Sequence, residues 1–88
     1  MNKKEFAGNL LSLLREGKHF EVGKICEAMD FCSVAAQNDR AFSIPAGGYS
    51  KKDGDVAIEN GEIAREVLIH LDRDDLNAAK ILLKQYAA

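Results

Sequence analysis

FAGNLLSLL at residues 6–14 and IAREVLIHL at residues 63–71 carry one apolar pattern twice. In the first, Phe6, Leu10, Leu11 and Leu14 stand at i, i+4, i+5 and i+8; in the second, Ile63, Val67, Leu68 and Leu71 repeat the spacing fifty-seven positions on. At 3.6 residues per turn these positions share one face, so both segments read as amphipathic helices. Each is followed by a polar turn and a second segment, FEVGKIC at residues 20–26 and LNAAKIL at residues 76–82. The chain therefore reads as all-α, a small bundle of two helical hairpins. A hairpin of this length cannot cover its own stripe, so the two units are expected to bury theirs against each other.

Outward from these stripes, Asn2 with Glu5 three residues later forms an N-cap pair, and Gly17 is a natural stop for the first helix. The first hairpin is expected over residues 3–29, with Val22, Ile25, Cys26 and Met29 on the inner face of its second helix. Asp30 to Cys32 interrupts the pattern, and Ser33 can cap a short extra helix over residues 33–41. Residues 42–60 hold Pro45, Gly47, Gly48 and Gly54, and read as a glycine-rich loop. Phe42 and Ile44, then Val56 and Ile58, alternate with small or polar residues, which allows a short β-hairpin there. Asn60 is placed to cap the second hairpin, residues 61–87, which turns at Asp72 to Asp75. Leu10, Leu14, Ile25, Val67, Leu71 and Leu82 are the expected core. The helix, polar turn and second helix also resemble the hairpins of tetratricopeptide-like proteins in outline. The period differs from that family's, and no family function is carried over.

With 88 residues the chain is one domain. Its 47% hydrophobic and 30% charged residues place it among globular rather than disordered chains. Twelve Lys and Arg against 14 Asp and Glu leave a net charge of -2 without a basic tail or patch, so nothing favours capture of nucleic acid or anionic lipid. The opening apolar run is broken by Asn9, Ser12 and Arg15, unlike a secretory signal, and a cytoplasmic location is expected. Cys26 and Cys32 are then expected to be free thiols.

The sharpest chemical pattern is a helix-turn-helix over residues 24–41, where ICEAMDFCSV locally resembles the second helix and turn of AraC-type regulators. That resemblance implies a DNA-binding transcriptional regulator presenting Ser33, Gln37, Asn38 and Arg40, with Gln37 and Asn38 for adenine edges and Arg40 for phosphate. Asp30 in the turn, and the absence of a basic surround, argue against it. His19, Cys26, Cys32 and His70 lack the spacing of a metal site, and Asp53-Gly54-Asp55 lacks the later oxygen ligands of a calcium loop. Neither cysteine has an adjacent histidine to activate it. No metal, cofactor or enzymatic activity is expected.

By exclusion, the expected function is a non-enzymatic protein-binding module: an adaptor, inhibitor or regulatory subunit. Tyr49, Lys51, Lys52, Asp53 and Asp55 are the candidate partner-binding residues, because a polar, glycine-rich segment is free of the core. The last helix carries Ala79, Leu83 and Tyr86 on one stripe, and Ala78, Ile81 and Leu82 largely on another, which suggests a homodimer.

Overall fold

A computed structural model describes residues 2–42 and 51–88, with side chains described outside residues 39–42 and 51–53. It contains four helices: α1 (Lys3–Arg15), α2 (His19–Phe42), α3 (Lys51–Asp72) and α4 (Leu76–Ala87). The described residues hold no strand. No described helix is long and apolar enough to cross a membrane.

The two sharp turns are built alike. Asn2 Oδ1 accepts a hydrogen bond from the Glu5 amide at 2.8 Å and starts α1. At its other end Gly17 has φ +78°, its amide donates to the Leu14 carbonyl, and the Lys18 amide donates to the Leu13 carbonyl. This paired pattern closes the free carbonyls of the last helical turn and requires a left-handed residue. Fifty-seven positions later Asp74 has φ 58°, its amide donates to the Leu71 carbonyl, and the Asp75 amide donates to the His70 carbonyl. Asp75 Oδ1 then accepts from the Ala78 amide at 3.1 Å and caps α4.

The repeat extends through the core. Phe6 and Ile63, Leu10 and Val67, Val22 and Ala79, and Cys26 and Leu83 are all buried, each pair fifty-seven apart. The second segments thus align as Val22 with Ala79, one position away from the match of FEVGKIC to LNAAKIL. The most extensive packing joins α2 to α3 and, next, α1 to α4. Exchanging the two halves maps one pair onto the other, the relation an internal two-fold produces. The hairpins bury their stripes against each other, as expected, and contacts within each hairpin are fewer. Of the expected core, Leu10, Leu14 and Val67 are buried, Leu71 and Leu82 are half-buried, and Ile25 is exposed. We call this four-helix part the base.

Beyond the base, α2 and α3 continue as a two-helix arm. Asp30 to Cys32 does not break the helix, so residues 33–41 are the second half of α2 and not a separate element. Residues 51–60, read above as part of the loop, are the first turns of α3, and Val56 and Ile58 are helical rather than strand residues. Phe42 ends α2, and Ile44 lies outside the described residues. Asn60 is buried within α3 and caps nothing. The reason is residue size. Ser33, Ala36, Ala57 and Gly61 are buried along the arm, and a Cβ on Gly61 would overlap Cβ and Oγ of Ser33. Here glycine permits close approach of two helices instead of a turn. Arg65 on α3 donates through Nε and Nη2 to Asp30 Oδ1 on α2, at 3.1 and 2.9 Å. Such a partly exposed pair contributes about 1 kcal/mol or less, so it marks the register more than it holds the arm together. Pairing Ser33 with Gly61 and Asp30 with Arg65 shows α2 and α3 running antiparallel.

Candidate functional site

Among the described residues, the outer face of α2 carries three large exposed apolar side chains. At 100° per residue, Val22, Cys26, Ser33 and Ala36 fall on one side of α2. All four are buried. Phe20, Lys24, Glu27, Phe31 and Val34 fall on the opposite side. Phe20 and Phe31 are each 76% exposed and Val34 is 42% exposed. Eleven residues are close to three helical turns, so the two rings stand along one line. Lys24 Nζ sits 5.2 Å from the Phe20 ring centroid, a cation–π contact on the same line. A helix that is apolar on both sides either crosses the middle of a fold or meets another surface.

Beside this face lies a groove of about 320 Å³. Phe20, Gly23, Lys24 and Glu27 form its α2 wall; Leu68, Leu71 and Leu76, all half-buried, supply apolar lining; and Asp72 and Asp74 stand at the α3–α4 turn. Gly23 contributes open space, since a Cβ there would meet nothing within 4 Å. Apolar lining with polar groups at its margin suits an inserted side chain better than a small charged substrate.

A second groove, about 240 Å³, receives Ser33 and Gln37 of α2 together with Glu62, Arg65, Glu66 and Ile69 of α3. These two α2 residues belong to the helix-turn-helix set, whose two-helix geometry the structure does not form. Residues 30–32 form no turn. Ser33 is buried and accepts a hydrogen bond from Gln37 Nε2 at 3.1 Å. The glutamates of the same groove would repel phosphate. Asn38 is exposed, and the side chain of Arg40 lies outside the described residues.

The sequence-predicted partner residues are not gathered at the groove. Lys51, Lys52 and Asp53 belong to the first turn of α3, and Asp55 is exposed on that helix. Asp55 lies thirteen residues from the groove's Leu68, roughly 20 Å along the axis. Tyr49 lies outside the described residues. Sequence reasoning missed Phe31 because it sat in a segment read as a break, yet its spacing from Phe20 was the signal available.

Both cysteines are free. Burial, and then the neighbouring Glu27 carboxylate, push the Cys26 thiol up to about 12, so it stays protonated and inert near neutrality. Among the described residues no three His, Cys, Asp or Glu side chains gather to hold a metal ion. The α4 stripe of Ala79, Leu83 and Tyr86 is used internally: the first two are buried and Tyr86 packs against the core, leaving Ile81 as its large exposed apolar residue. No protein family, curated protein or solved structure matches the chain.

Proposed function

We propose that this chain is a small non-enzymatic protein-binding module, an adaptor, inhibitor or regulatory subunit, and that it works through the outer face of α2. The observation that carries the reading is the pair of phenylalanines, each 76% exposed, aligned on one helix face beside an apolar-lined groove. Exposed aromatics beside a recess are the usual anchors of protein contact. The protonated, buried Cys26 thiol supports a non-enzymatic role, since the innermost thiol is unsuited to nucleophilic attack.

The test compares capture by immobilised wild-type protein and by Phe20→Ser/Phe31→Ser from extract of the source cells, scoring bound proteins other than the chain itself. Both positions are exposed, so the helical circular-dichroism signal should persist. A specific partner lost with the double variant is the expected outcome. Equal capture by both proteins would move the binding surface elsewhere.

A further inference from the structure

The α2 face is complementary to itself. Phe20 and Phe31 are separated symmetrically about the same point as Lys24 and Glu27, between Ile25 and Cys26. If a second α2 lies antiparallel across this face with a two-fold axis at that level, Phe20 meets the second copy's Phe31, and Lys24 meets the second copy's Glu27. The axis generates each contact twice. Apolar therefore meets apolar and cation meets anion, without an unlike pairing among the four positions. In a two-fold interface every patch must match itself, and few arrangements of two rings and two opposite charges do.

We infer that the outer face of α2 docks a second copy of this chain, antiparallel, in this register. The groove agrees with the register. Phe20 borders it, so the second copy's Phe31 is delivered to the recess lined by Leu68, Leu71 and Leu76, while Gly23 leaves the approach open. Lys24, which covers the Phe20 ring within one chain, is freed to pair with the incoming Glu27. Four phenylalanine rings at about 150 Å² each give roughly 600 Å² of apolar burial, and the charged stems and Val34 add to it. An interface of that size belongs to the weak, reversible class. The inference rests on the reading of the outer face of α2 as a protein-contact surface and seats a second copy of the chain on it.

Sedimentation velocity across a concentration series, on wild type, Lys24→Glu, Glu27→Lys and the doubly exchanged Lys24→Glu/Glu27→Lys, tests it. Wild type is expected to dimerise reversibly. Each single exchange sets two pairs of like charges together and should weaken the dimer about tenfold. The double exchange should recover most of the loss. Phe31→Ser should leave a monomer at every concentration in which wild type associates. A wild-type monomer at high micromolar concentration overturns the inference, as does a dimer indifferent to both single exchanges and to Phe31→Ser. A monomer that still captures a foreign protein through Phe20 and Phe31 overturns the dimer but leaves the protein-binding function standing; a dimer without foreign capture does the reverse.

Discussion

In the base, Leu10, Leu14, Ile63, Val67 and Leu83 fill a core shared by four helices; in the arm, Ser33, Ala36, Ala57 and Gly61 let two helices approach with little between them. Large side chains need several elements to cover them, and small ones let a pair suffice by shortening the distance between axes. The difference explains why one helix can serve both regions. The inner face of α2 changes from Val22 and Cys26, within the shared core, to Ser33 and Ala36, where Ser33 stands against Gly61 of α3. Its outer face carries an exposed phenylalanine in each region, Phe20 in the base and Phe31 in the arm.

The largest expected effect lies in the base. Leu14→Ala should cost about 2 to 5 kcal/mol, measured by chemical denaturation. Leu71, its equivalent in the repeat, is half-buried and should cost distinctly less. Equal costs would break the distinction between the covered and half-covered stripes.

In the arm the sign of the size rule reverses. Gly61→Ala adds one methyl and should cost about 1 to 3 kcal/mol by overpacking against Ser33. Ser33→Gly removes the opposing Cβ and should lessen that penalty when combined with it, beyond additivity. A neutral Gly61→Ala would mean that the two helices stand farther apart than described here.

The thiol in the base offers a pH probe. Ionisation is disfavoured in the fold, so an unfolded chain loses the Cys26 proton above its ordinary value of 9.0 while the folded chain keeps it to about 12. Stability from this group is therefore unchanged below about pH 8 and falls through the window between those values. One unit above the ordinary value the loss approaches about 1.4 kcal/mol, and Cys26→Ala should abolish that part of the slope. At neutral pH a thiol reagent should modify the half-buried Cys32 first, and Cys26 only upon opening of the base.

The two turns give a smaller, opposed pair. Gly17→Ala places a side chain at φ +78° and should destabilise by about 1 kcal/mol, whereas Asp74→Gly relieves φ 58° and should stabilise by a similar or smaller amount. Melting temperatures moving the same way in both variants would contradict the shared turn geometry.

These turns and the apolar stripes were legible in the sequence because local rules determine them: Asn2 and Gly17 show their function without tertiary contacts. The arm was not legible for the converse reason. Gly54 reads as a loop residue and Ser33 as a cap until the opposing helix is present, and only then does Gly61 become the position that Ser33 requires to be small. Asp30 likewise resembles a turn residue until Arg65 is seen beside it. Of the candidate site, the partner-binding set was sought in a polar segment, while Phe20 and Phe31 were absorbed into a hairpin and a break. Neither residue alone carries a signal, and their common face exists only once α2 is continuous.

That common face is tested most directly by following backbone amide resonances of the wild-type protein as it is diluted from high to low micromolar concentration. Concentration-dependent shifts should concentrate at Phe20, Lys24, Glu27, Phe31 and the groove's Leu68, Leu71 and Leu76, leaving Ile81 and the rest of α4 unmoved. Invariant spectra, or shifts centred on α4, would contradict the assignment of the outer face of α2 as the surface through which this protein makes contact.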